Sequence, residues 1–442
     1  MPMHRSALSV LALSTLASSQ FVFVGVAQRV SPQAGSAPQT NSLAVRVAAP
    51  AGTPSTQPVA NSVCSGMGLG NNGPLNGFVP STADAWHQDI SGAAVDASST
   101  KILTTSGDLA GSYLHPDFGP QAGIPYVVVD SRTQASVPVA INLYAGDSDI
   151  TLAPVPANAP VEDSPAACAA PIGDQHLLVL DRAECVAYEY WLSSSCKGAW
   201  SAANTALWDM TEAEKRPYTL TSADASGLSV FEGLIRYDEI IAGSINHAIR
   251  FTAAHTKTGA KGGYFVAPAT HAAGNSTTTD NIIGMRIRLK ANVDISKFSG
   301  NNRIILTAMK KYGMILADNG SNLFFQGTLD NRWDNNDLNA LKAIPASDFE
   351  VVQMGAVSTM DQPPTGAAPA ITSFKASATT VAAGTAVTLT AATTGASYSY
   401  IDKAGFLRGT SMTVTPAATT TYTLTSRNAY GTVSKSVTVT VR

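Results

Sequence analysis

From Ile371 to the C-terminus, large apolar residues recur at every second position. Val387 and Leu389 do so, then Met412 and Val414, Tyr422 and Leu424, and finally Val437, Val439 and Val441. Thr and Ser fill the positions between them. Side chains alternate between the two faces of an extended strand, so this pattern admits half-buried antiparallel strands and excludes helices. Turn residues separate the runs, as in "TVAAGTAVTLTA" and "SMTVTPAATTTYTLTSRNAYGTVSKSVTVTV". No cysteine lies in this segment, so its sheets must stand on packing alone.

The quoted runs resemble bacterial immunoglobulin-like or PKD-like modules over roughly the last sixth of the chain. The resemblance implies a spacer, or a carbohydrate- or surface-adhesion module, rather than a catalyst.

At the other end, Arg5 precedes an apolar stretch from Ala7 to Ala27 that closes on Gly25-Val26-Ala27. A charged tip, an apolar run and small residues at the cleavage position predict a secretory signal, 1–27, and hence an extracellular or periplasmic protein. No later run reaches the ~20 apolar residues of a membrane helix. The leader carries one charge, so the mature chain stands at 27 Lys+Arg against 31 Asp+Glu. With no basic stripe or tail, nucleic acid is not an expected partner.

Residues 28–62 are rich in Ala, Pro, Ser, Thr and Gln and read as a flexible linker. A second linker is read over 357–369, around MDQPPTGAAP. The expected domains are therefore a main β-rich domain, 63–356, and the C-terminal module, 370–442. The fold class is mainly β: a large β-sandwich or jelly-roll-like domain with helical insertions, plus a small immunoglobulin-like β-sandwich.

Within the main domain, strands are predicted at Ile124–Asp130, Val137–Tyr144, His176–Asp181, Cys185–Trp191, Ala248–Ala253, Gly284–Lys290 and Leu323–Gln326. Met285, Ile287 and Leu289 share one face of their strand, with Arg286, Arg288 and Lys290 on a polar face opposite. Helices are predicted over Asn301–Tyr312, stopped by Gly313, and over Asp337–Leu341. Asn319-Gly320 between two apolar runs predicts a two-residue hairpin. Capping by Asn336 or Asp337 is the reading of DNRWDNND, which lacks the order of a calcium loop. Four cysteines in an exported chain point to two disulfides. The short Cys185–Cys196 loop is favoured, leaving Cys64–Cys168.

Four clusters carry candidate chemistry. In Gly173-Asp174-Gln175-His176, an extended strand would place Asp174 and His176 on one side, ~7 Å apart. The segment Arg236–Arg250 concentrates Asp238, Glu239, His247 and Arg250 in a chain poor in charge. His271 closes YFVAPATH at a strand end. Asp318 lies in YGMILADNGSN beside the expected turn. Each also has a structural reading: a turn residue, a helix-end charge, a core histidine, an exposed loop histidine.

No G-x-S-x-G, H-E-x-x-H, Walker or dinucleotide pattern occurs, which counts against serine hydrolases, zincins and NTPases. No cofactor is required. Asp174, His176, His247 and His271 are of the types that ligate calcium or a transition metal, but no spacing selects a metal. The phrases "LHPDFG", "GDQH", "INHAIRF" and "YGMILADNGSN" resemble a family of secreted bacterial proteins over about residues 80–352. That resemblance implies one self-contained middle domain and carries over no catalytic residue.

The expected function is a secreted polysaccharide-active enzyme, a glycoside hydrolase or a polysaccharide lyase, acting on a polysaccharide or cell-surface glycan. In the lyase version Tyr264 or His247 would abstract the proton and Arg250 or Asn319 would neutralise the uronate. The alternative is a non-enzymatic carbohydrate- or surface-binding protein. Convergence of the titratable residues on one place separates the two.

Overall fold

Tyr126–Val129 and Leu177–Asp181 are apolar at nearly every position, and a strand so composed must be covered on both faces. The computed structural model, which describes residues 63–442 apart from Ser106, Pro171, Ile172 and Glu214, places them as parallel neighbours at the centre of a five-stranded sheet. Their order is Gly70–Asn71, Tyr126–Val129, Leu177–Asp181, Val186–Trp191, Asn204–Asp209. Tyr126, Val128, Leu178 and Leu180 face Phe231 of helix α1 (Val230–Gly233), Leu234 just after it, and the Cys64–Phe78 segment. Val127, Val129, Leu177 and Val179 face Val139, Trp200 and Ala202 of a smaller four-stranded sheet, which completes a sandwich. The leader and first linker lie outside the described residues.

A second, six-stranded sheet runs Phe349–Val351, Arg286–Leu289, Met314–Asn319, Ile249–Ala253, Phe324–Gln326, His115–Asp117. Among the described residues the further α-helices are α2 (Tyr237–Ala242), α3 (Gly300–Lys311) and α4 (Asn335–Asn339). The periodicity of Ile305 and Met309 does produce α3, and both side chains and Leu306 are fully buried. Each contributes about 1.5–3 kcal/mol by leaving water. Gly313 ends the helix at φ +71°, and a Cβ there would strike the Ile287 carbonyl. Any other residue would be strained on both counts.

The C-terminal segment forms two facing sheets. Ala370–Ala376, Val387–Thr394 and Ser411–Val414 make one. Thr380–Val381, Gly431–Val441, Thr420–Asn428, Tyr398–Ile401 and Gly405–Phe406 make the other. The alternating residues Val387, Leu389, Met412, Val414, Tyr422, Leu424 and Val439 fill the space between. Val357–Thr359, just before this module, pairs with Gly262–Val266 of the main body. The module is docked on that body. Tyr398, Tyr400 and Phe406 pack on Val186 and Leu207. Arg427 pairs with Asp149 and Arg408 with Asp209.

Several local expectations are corrected. The disulfides are Cys64–Cys185 and Cys168–Cys196, not Cys185–Cys196 and Cys64–Cys168. Cys185 precedes the strand Val186–Trp191, whose six extended residues carry the chain ~20 Å away from it before Cys196 is reached. Cys168 instead donates its amide to the Ser195 carbonyl, which sets it beside Cys196.

The Arg286–Arg288 face is not solvated. Ala85–Ile90 covers it, and Arg286 donates to the Ala85, Gln88 and Tyr312 carbonyls while Arg288 binds Glu350 and the Ile90 carbonyl. Asn319-Gly320 does not make a hairpin, because Ile249–Ala253 is inserted between the two strands it joins. Asp334, rather than Asn336 or Asp337, caps α4 by accepting from the Asn336 amide.

Candidate functional site: an acidic cleft over Arg250

Strand alternation puts Ile249 and Phe251 into the core and turns Arg250 to the opposite face of the six-stranded sheet. Arg250 is only 2% exposed, and its Nε donates to Asp224 Oδ2 at 3.0 Å. Asp318 reaches the same face through an irregularity. Phe251 pairs with Leu316, but Thr252 pairs with Asp318, so one extra residue intervenes. Strict alternation from Leu316 would send Asp318 into the core. The bulge re-aims it to the side of Thr252 and Arg250. There Asp318 Oδ2 accepts from the Ala225 amide at 3.3 Å and Oδ1 from the Asn319 amide at 2.6 Å.

Asp224 belongs to a loop, Thr221–Ser229, that is buried throughout. Such a loop survives only if its backbone is hydrogen-bonded. Ser222 Oγ donates to the Asp224 and Leu228 carbonyls and accepts from the Asp224 amide. Asn204 holds the Ser222 carbonyl. The loop's outer carbonyls meet two histidines: Ala223 O lies 3.0 Å from His176 Nε2, and Ala225 O lies 2.7 Å from His271 Nδ1.

His176 Nδ1 is 2.6 Å from Glu162 Oε2. With an acceptor at each ring nitrogen, the imidazolium form satisfies both. Burial disfavours that cation, but the Glu162 charge and hydrogen bond, with Asp174 behind them, raise His176 to about 9. Asp174 and His176 do not share a strand face as expected. Gln175 sits at φ +46°, before the strand begins at Leu177, so the alternation does not apply. Asp174 is exposed and accepts from Trp191 Nε1 at 3.1 Å.

Across the sheet, Asp117 pairs in register with Gln326, and its Oδ2 accepts from Gln326 Nε2 at 3.4 Å. By exposure, Asp117, Asp163 and Asp174 form the open rim of the cluster, Glu162 and Asp318 are half-buried, and Asp224, Arg250 and His176 are buried. Asp318 is deep yet in touch with water. Burial, then the charges of Asp224 and Asp174, push its carboxyl well above the usual range. For Glu162, burial acts in the same direction but is outweighed by His176, which holds it below that range. Two carboxyl groups around one arginine are thus driven apart, the arrangement that assigns acid and base roles. Beside Asp174, Trp191 stands tilted against the exposed Tyr144, ring centroids 6.1 Å apart.

Of the eight residues singled out in the sequence, Asp174, His176, Arg250 and Asp318 meet here, and His271 buttresses the Asp224 loop. Glu239 and His247 pair elsewhere, with His247 Nε2 3.0 Å from Glu239 Oε1. Glu239 also receives the amide and guanidinium of Arg236. Burial opposes its charge, yet Arg236 and His247 hold it down at about 2. This pair braces the start of α2. Asp238 diverges from Glu239 to a third place, accepting from the Leu75 amide and from Arg332.

Sequence reasoning missed Asp117, Glu162, Asp163, Asp224 and Gln326. Asp117 alone carried a signal, its place in LHPDFG. Among the described residues no three His, Cys, Asp or Glu side chains are arranged to hold a metal ion, and no helix is long and apolar enough to cross a membrane. No protein-family model matches the chain, and no curated protein matches it.

Proposed function

We infer that the protein is an exported glycoside hydrolase whose general acid is Asp318 and whose base or nucleophile is Glu162. The observation that carries this reading is the placement of these two carboxyl groups around Arg250, one pushed up and the other held down. Glycosidases need such a pair, a protonated carboxylic acid for the leaving oxygen and an ionised partner. Asp224 is fully buried and committed to Arg250, which leaves Glu162 as the ionised group that a substrate reaches. The Trp191–Tyr144 pair supplies an apolar face of the kind on which sugar rings rest. Export rests on the leader pattern, with the two disulfides in support.

A lyase acting on uronates fits less well. The cleft gathers six carboxyl groups, and its arginine already serves Asp224. Asn319, a candidate to neutralise the uronate, is engaged by Thr256 and the Ala273 carbonyl. A pure binding role draws on the same aromatic pair, and it predicts retention on a glycan without turnover.

The test is release of reducing ends from a panel of polysaccharides by the mature chain, with Asp318→Asn and Glu162→Gln alongside. Each variant should lose about 10²–10⁴-fold in kcat with the fold retained. The pH profile should fall on the alkaline side through the raised Asp318 and on the acid side through the lowered Glu162. Undiminished turnover in Asp318→Asn would end this assignment.

A further inference from the structure

We propose that the glycan taken by this cleft carries free amino groups, as a deacetylated amino-sugar polymer does. The proposal rests on the hydrolase reading and adds the substrate class.

Both ring nitrogens of His176 are spent on Glu162 and Ala223 O, and Arg250 Nε on Asp224. Apart from the Nη groups of Arg250, the other side chains named around them are carboxyls and a carboxamide. Gln326 is 6% exposed, its Nε2 points to Asp117, and its Oε1 has no partner among the described residues. Buried acceptors without donors are costly, so a fitting ligand brings donors of its own. The rim adds Asp117 and Asp163, which no Lys or Arg among the described residues pairs with. Their carboxyls are raised, by burial first and then by neighbouring acids, Glu162 among them.

A neutral hydroxyl supplies one donor and leaves that charge excess in place. An ammonium on the sugar ring supplies three donors and a positive charge. Carboxylate repulsion at the rim then becomes attraction. The flanking aromatic pair, Trp191 and Tyr144, suits a sugar-borne cation as well as a neutral ring.

The experiment compares kcat/KM on glucosamine oligomers, their N-acetylated counterparts and neutral glucan oligomers, at low and high salt. Binding of each is measured in parallel by calorimetry. The amine-bearing oligomer should be favoured by about tenfold or more at low salt, and that preference should shrink as salt screens the cleft. Asp117→Asn should cut the preference ratio to about twofold or less.

Cleavage of neutral or acetylated oligomers at equal or higher efficiency would overturn the amine proposal and leave the hydrolase reading standing. Binding of the amine oligomer, weakened by Asp117→Asn but with no oligomer cleaved, would uphold the ligand class and end the hydrolase reading. Neither binding nor cleavage of the amine oligomer would overturn the proposal.

Discussion

Asp149 is the residue whose loss should cost this protein most for its size. Its side chain is fully buried between Arg216 of the main body, 1% exposed, and Arg427 of the C-terminal module, 6% exposed. Oδ2 also accepts the Leu207 amide at 2.7 Å, and Tyr400 donates its hydroxyl to the Asp149 carbonyl. Burial lowers both guanidiniums, Arg427 to about 10, so each stands in need of the carboxylate.

Asp149→Ala strands two buried cations and an amide. Removing one partner of a buried pair costs about 3–5 kcal/mol, and an orphaned amide about 1–3 more. A loss near 5 kcal/mol is a large part of the ~5–15 kcal/mol that holds a domain folded. Asp402→Ala, which breaks the exposed 3.7 Å contact with Lys403, should cost about 0–1 kcal/mol and serves as the control.

The assay is urea unfolding, with limited proteolysis in the 360–369 segment to report release of the module. The triple exchange Asp149→Leu, Arg216→Met, Arg427→Met should recover most of the loss, because apolar replacement of a whole buried ionic group is often near neutral. Asp149→Ala within about 1 kcal/mol of the parent would refute the view that charge docks the module.

The His176–Glu162 pair predicts a pH dependence of stability. His176 is raised to about 9 from an ordinary 6.5, so its contribution is complete below about 6.5 and is lost as pH rises through 9. The loss should total about 3 kcal/mol. His176→Gln should flatten the slope of unfolding free energy between those limits. The disulfides should differ in reducibility. Cys168 is exposed and Cys196 half-buried, whereas Cys64 and Cys185 are both fully buried. Mild reductant followed by thiol labelling and mass spectrometry should open Cys168–Cys196 first, with the other bond protected until unfolding. Trp191→Ala should raise KM about five- to tenfold with kcat little changed, since it removes stacking surface beside the cleft and no proton-transfer group.

Most of the strand layout was legible because burial on one or both faces writes itself into alternation or into short apolar runs. Ile249 and Phe251 point inward, so Arg250 had to point the other way, and it does. The site was less legible because its members depend on departures from those patterns. Asp318 faces Arg250 only through the extra residue between Leu316 and Asp318. A bulge in one strand of a parallel pair leaves no mark in the sequence of either. Asp174 and His176 were expected together on a strand. They reach the cleft by a left-handed turn at Gln175, a conformation that asparagine or glycine would have advertised and glutamine does not.

The Asp224 loop shows the same limit from the side of composition. TSADASGLS is made of small and polar residues, and such a run reads as a surface turn. It is buried because its serines hydrogen-bond its own chain. Ser222 closes on Asp224 and Leu228, Ser226 Oγ accepts from the Leu228 amide, and Ser229 caps α1 while donating to the buried Glu189. A loop that satisfies its own polar groups can be placed under a cleft at little cost, and it then presents a carboxylate to an arginine with no freedom to turn away. Local hydrogen bonding and deep burial are thus two parts of one arrangement. Substituting Ser222 should therefore disturb Asp224, and through it Arg250 and Asp318, before it disturbs the sheets on either side.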